Sequence, residues 1–140
     1  MKFIKHLLVV SMLFLPLSMV YAGESTPNSI KGTVKIKAED IFKLYDKYPN
    51  LVIVDARKTS DRMKGYIEGS IGLPDTKTNR KSLSRVVPDR AIPVVFYCNG
   101  EKCGRSVKSA KLAVSMGYKK VYWFRGGWEE WENKGLPAAK

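Results

Sequence analysis

The sequence predicts an α/β domain built on a central parallel sheet, and three observations lead there. Two short apolar runs, Leu51–Val54 and Pro93–Tyr97, are unbroken by polar residues, as in strands buried on both faces. Stretches with helical spacing of apolar residues alternate with such strands. Proline and glycine fall at the joints between them.

Taken in order, residues 23–33 are polar, hold Gly23, Pro27 and Gly32, and read as a flexible lead-in. Val34–Lys37 alternates like a short strand. Ile41, Leu44, Tyr45 and Tyr48 sit at helical spacing within residues 38–48, and Pro49-Asn50 ends that helix. The strand Leu51–Val54 runs into Asp55-Ala56-Arg57. Thr59–Lys64 reads as a helical turn closed by Gly65, and Ile71–Pro74 as a brief strand. Leu83, Val86 and Val87 mark a weak helix before Pro88. After the strand Pro93–Tyr97, a helix runs from Ser106, its expected N-cap, to Met116 and ends at Gly117. Lys120–Phe124 is the last strand, and residues 128–132 form a final helix ended by Gly135.

The first residues predict export. Met1-Lys2-Phe3-Ile4-Lys5-His6 is a short positive head, Leu7–Val20 an apolar middle, and Val20-Tyr21-Ala22 places small residues for cleavage after Ala22. The apolar run is shorter than the roughly 20 residues of a spanning helix and contains Pro16, which favours a cleaved signal peptide over an anchor. The mature protein is expected in a bacterial periplasm, without a membrane association. Loss of Lys2 and Lys5 lowers the net charge from +12 to +10. The remaining Lys and Arg are scattered rather than grouped in a stripe, which fits a small anionic substrate better than nucleic acid.

The single histidine, His6, leaves with that leader. The mature domain therefore has no Cys–His dyad, no Ser–His–Asp triad and no histidine metal ligand, so a nucleophile must be activated by its local field. Cys98 ends the second apolar run, and the Gly-punctuated loop Asn99-Gly100-Glu101-Lys102-Cys103-Gly104-Arg105 leads into a helix. Backbone N–H groups and the helix dipole there favour a thiolate. Two cysteines in one loop without histidine cannot complete a tetrahedral zinc site, and no metal or cofactor is expected.

These residues resemble a known family. Asp55-Ala56-Arg57, Gly65-Tyr66-Ile67-Glu68-Gly69-Ser70-Ile71 with Leu73-Pro74, Cys98 at a strand end, and Gly117-Tyr118, Val121-Tyr122 and Gly126-Gly127-Trp128 with Trp131 are similar, in the same order, to the signatures of rhodanese domains. The resemblance covers residues 34–137, leaves 138–140 as a tail, and is strongest to small exported single-domain rhodaneses. It implies a mostly parallel five-stranded sheet flanked by helices on both faces. It further implies a thiosulfate sulfurtransferase in which Cys98 takes a sulfane sulfur as a persulfide and a thiol or cyanide removes it. By the same resemblance the amides of Asn99, Gly100, Glu101, Lys102, Cys103, Gly104 and Arg105 bind the anion, Gly100 and Gly104 supply positive φ, and the Arg105 guanidinium adds a charged fork. Asp55 and Arg57 would brace the loop, or form only a local ion pair. Arg125 would line the same rim, while Trp123, Phe124, Trp128 and Trp131 form core and pocket wall.

The chain departs from that pattern. Arg105 follows Cys98 by seven positions, so the loop is two residues longer than the family's usual form and has room for a donor bulkier than thiosulfate. A Cys-x5-Arg phosphatase loop is a poor match. Arg62 and Tyr66 stand where the family often has an aromatic residue and a histidine. Cys103 is either an incidental loop thiol or a redox partner of Cys98. Two further functions stay open: a persulfide carrier that hands sulfur to an accepting protein, and a thiol–disulfide oxidoreductase using Cys98 and Cys103.

Overall fold

The computed structural model describes residues 26–140, so the leader expected over residues 1–22 lies outside the described residues. The elements are β1 (Val34–Ile36), α1 (Ala38–Lys47), β2 (Val52–Asp55), α2 (Thr59–Arg62), β3 (Tyr66–Ile67), β4 (Ile71–Gly72), a 3₁₀ turn at Asp75–Lys77, α3 (Arg80–Val86), β5 (Val94–Tyr97), α4 (Arg105–Ser115), β6 (Val121–Phe124), α5 (Gly127–Asn133) and β7 (Ala138–Ala139). Five strands form one sheet in the order β1-β6-β5-β2-β4, every pair parallel. β5 lies at its centre, which is why all four of its residues are buried.

Alternation along the strands divides the core in two. Val54, Val94, Phe96, Val121 and Trp123 point to the face covered by α3 and α4. Ile53, Val95, Tyr97 and Phe124 point to the opposite face, against Ile41 and Leu44 of α1 and Trp131 of α5. α1, α3, α4 and α5 are amphipathic because each buries one side in the core and leaves its other side in water. Among the described residues no helix is long and apolar enough to cross a membrane.

Several expectations are corrected. The lead-in is not loose over its described part: Ile30 is buried in the α3/α4-side core, and Gly32 turns with φ +83° against Val114. Ala138–Ala139, expected to be tail, pairs antiparallel with Tyr66–Ile67 and forms a second, two-stranded sheet. Ser106 is not the N-cap of α4. Gly104 holds that position, and the Ser106 hydroxyl is turned inward to accept a hydrogen bond from Trp123 Nε1 at 3.0 Å. The helix before Pro88 starts earlier than its apolar residues indicate, because Asn79 caps it by accepting from Ser82 N–H at 3.0 Å.

Because Ile30 fills core volume, Ile30→Ala is expected to lower the unfolding free energy by about 2–4 kcal/mol in a denaturant titration. A cost below about 0.5 kcal/mol would mean that the segment detaches in solution.

Candidate active site

Parallel sheets gather ligands at the carboxyl ends of their strands, and Cys98 immediately follows β5 at that edge. Its carbonyl accepts from Trp128 N–H at 2.8 Å, and the Asn99 carbonyl accepts from Glu129 N–H at the same distance. The first turn of α5, whose amides have no partner within the helix, is thus satisfied by the start of the Cys98 loop. This contact requires glycine at position 127. Gly127 has φ +57°, and a Cβ there would stand 2.3 Å from the Cys98 carbonyl oxygen.

Cys98 is buried, with 1% of its surface exposed, and it is bonded to Cys103, which is partly exposed. A turn makes this approach possible: Cys103 N–H donates to the Gly100 carbonyl at 3.0 Å, and the Cα atoms of the two cysteines lie 6.1 Å apart. No other amide from Asn99 to Arg105 donates to an acceptor among the described residues, so these groups remain available to an anion. The expected positive φ at Gly100 and Gly104 does not occur; Gly104 has φ −81°. Gly100 is required for space instead, since a Cβ there would lie 2.6 Å from Glu129 Oε2. An open cleft of about 720 Å³ runs between this loop and α5, lined by Asn99–Cys103, Gly126, Glu129 and Asn133 among others. Cys103 faces it.

The arginines are engaged. Arg105, at the first residue of α4, is paired with Asp75 at 2.5 Å, which ties the helix start to the 3₁₀ turn. Arg125 reaches Glu101 at 3.3 Å and donates to the Pro27 carbonyl at 3.1 Å, joining the loop to the lead-in. Asn99 Nδ2 donates to Asp61 at 3.2 Å. Lys102 is exposed.

Asp55 and Arg57 are brought together, but neither bonds the loop directly. The Asp55 carboxylate is buried and accepts from Arg57 Nη2 (2.8 Å), Arg62 Nη1 (3.1 Å) and the Tyr97 hydroxyl (2.8 Å). Arg57 also donates to the Gly65 carbonyl at 2.8 Å, and its guanidinium lies over the Trp128 ring at 5.0 Å. Bracing therefore passes through Tyr97, the residue before Cys98, and through Trp128, whose amide holds the Cys98 carbonyl. Sequence reasoning missed Arg62, Ser70 and Tyr97 as members of this network. Arg62 donates to the Ser70 hydroxyl at 2.9 Å and to its carbonyl at 2.7 Å. The only sequence signal was the pair of departures at positions 62 and 66: the Arg62 guanidinium stacks 3.7 Å from the Tyr66 ring centroid. Among the described residues no group of His, Cys, Asp and Glu is placed to hold a metal ion.

Burial, and secondarily the Asp55 charge, hold the Tyr97 hydroxyl well above its ordinary pKa of about 10. In the folded protein it stays protonated where the unfolded chain has lost the proton. Its contribution is thus complete below about pH 10 and is lost as pH rises toward the folded value. In thermal melts the wild type is expected to lose stability more steeply above about pH 10 than Tyr97→Phe does. Equal slopes would remove Tyr97 as the cause.

A model of the rhodanese-like domain matches residues 37–134. The thiosulfate:glutathione sulfurtransferase of Saccharomyces cerevisiae is 28% identical over 123 residues, covering 80% of this chain and 87% of the relative. A rhodanese domain-containing protein of Drosophila melanogaster is 26% identical over 98 residues, covering 62% and 86%. Among solved structures, a Bacillus halodurans protein superposes with a TM-score of 0.67 at 22% identity, covering 76% of this chain and 77% of its own; this likeness concerns the fold.

Proposed function

The chain belongs to the rhodanese-like domain family, and from that premise we propose that it is an exported, periplasmic sulfurtransferase whose nucleophile is Cys98. The observation that carries this reading is the position of Cys98: it ends the central strand, is pinned by the start of α5, and opens a loop of unpartnered amides leading to the N-terminus of α4. The Cys98 thiolate attacks the sulfane sulfur of thiosulfate or a similar small anion. The S–S bond of the donor breaks, sulfite leaves with the bonding electron pair, and Cys98 holds a persulfide. Cyanide, a low-molecular-weight thiol or a sulfur-accepting protein then attacks the outer sulfur and restores the thiolate. With no histidine after residue 6, the activating field comes from backbone N–H groups and the helix dipole. The yeast relative, a thiosulfate:glutathione sulfurtransferase, supports a thiol acceptor.

The bond between Cys98 and Cys103 blocks the nucleophile, so activity requires prior reduction. With reduced protein, thiosulfate and cyanide, repeated turnover is expected, and Cys98→Ala is expected to lower the rate by at least about 1000-fold. A single stoichiometric loading would instead indicate a sulfur carrier, and undiminished turnover in the variant would overturn the assignment.

Two features support export. Residues 1–22 have the charge and apolar order of a cleaved leader, and a loop disulfide persists in oxidising compartments. Protein recovered from the periplasm of an expressing bacterium is expected to begin at Gly23. Retention of Met1 in a cytoplasmic fraction would remove this part of the proposal.

A further inference from the structure

We infer that Cys103 is the resolving thiol of this site, and that the protein thereby releases sulfide from a sulfane donor with a dithiol as reductant. The inference rests on the sulfurtransferase reading and names the group that empties the persulfide. Three observations carry it. The turn closed by Cys103 N–H on the Gly100 carbonyl brings Cys103 back onto Cys98. Their Cα separation of 6.1 Å lies in the ordinary range for a disulfide, and the bond coexists with an intact β5 and α4. Burial is asymmetric: Cys98 is almost wholly enclosed, whereas Cys103 is partly exposed and lines the cleft beside α5.

A thiol placed to bond Cys98 Sγ is also placed to attack that atom when it carries an extra sulfur. The Cys103 sulfur forms a bond to Cys98 Sγ, and the bond between Cys98 Sγ and the outer sulfur breaks. The outer sulfur leaves as HS⁻, taking the electron pair and the proton lost by Cys103. The two cysteines are oxidised to the disulfide as the sulfane sulfur is reduced to sulfide. A dithiol from the cleft then attacks Cys103 Sγ, the accessible sulfur, and Cys98 leaves as the thiolate favoured by the loop amides and the start of α4. The second thiol of the reductant closes its own disulfide and frees Cys103. The sum is thiosulfate and dithiol giving sulfite, HS⁻, a proton and the cyclic or linear disulfide of the reductant. The cleft is large enough for a small dithiol. Cys103 thus serves both as acceptor of the Cys98 bond and as the point of entry for electrons.

The test is a single turnover. Full-length mature protein is reduced, freed of reductant under anaerobic conditions and given one equivalent of thiosulfate, with intact mass and sulfide followed in time. The wild type is expected to gain about 32 Da, one sulfur, and then to pass to a species two hydrogens lighter than the dithiol form, releasing one equivalent of sulfide. Cys103→Ser is expected to keep the added sulfur, with loss of sulfide release. A wild-type adduct that persists without sulfide overturns the inference while leaving the sulfurtransferase reading intact. Failure of that reading has a different signature: neither protein gains sulfur and neither releases sulfide. If Cys103→Ser does not load, the wild-type course decides alone.

Discussion

One buried carboxylate holds the site together. Asp55 ends β2, has no exposed surface, and is surrounded by two guanidinium groups and a tyrosine hydroxyl drawn from three segments. Placing a carboxylate there costs several kcal/mol in lost hydration, and bidentate pairing with Arg57 offsets that cost only while every partner stays in place. Removing one partner leaves an uncompensated charge, so the strand ends and the segment from α2 to β4 are fixed as a unit. Tyr97 carries this order into β5, and Arg57 carries it to Trp128. Both lead to Cys98, one by the peptide bond and the other by the hydrogen bond from the Trp128 amide.

The parts that could be read from the sequence are those whose signal is local. The unbroken apolar runs of β2 and β5 announced a sheet buried on both faces, and a cysteine at the end of such a strand announced its own location. What escaped depends on partners far away in the chain. β7 is two alanines, whose pairing with Tyr66–Ile67 has no pattern of its own. Ile30 is one apolar residue in a polar segment, and only the packed structure shows that it fills core volume. Ser106 has the right identity and neighbourhood for a helix cap, yet Trp123 claims its hydroxyl. Glycine states only what backbone shapes are permitted. Gly100 and Gly104 looked like the positive-φ positions of an anion nest, but the glycine whose unusual φ shapes this loop is Gly127, packed against the Cys98 carbonyl from the start of α5.

The charge of the protein bears on the same loop. A net +12 and arginines beside the loop invite the idea that guanidinium groups grip the anion. The structure spends them differently: Arg57 and Arg62 on Asp55, Arg105 on Asp75, Arg125 on Glu101 and the Pro27 carbonyl. Arg105 with Asp75 and Arg125 with Glu101 are each close to neutral, and the two guanidinium groups on Asp55 leave one net positive charge, so on the proposed function the unpartnered backbone amides of the Cys98 loop do most of the donor binding. An amide cradle is indifferent to which sulfur oxyanion it holds, because it recognises negative charge and size rather than a planar fork. On the proposed function, selectivity therefore resides more in the fate of the captured sulfur than in the choice of donor. The resolving role we infer for Cys103 places that fate within the same loop, where a partly exposed cysteine is bonded to a buried one.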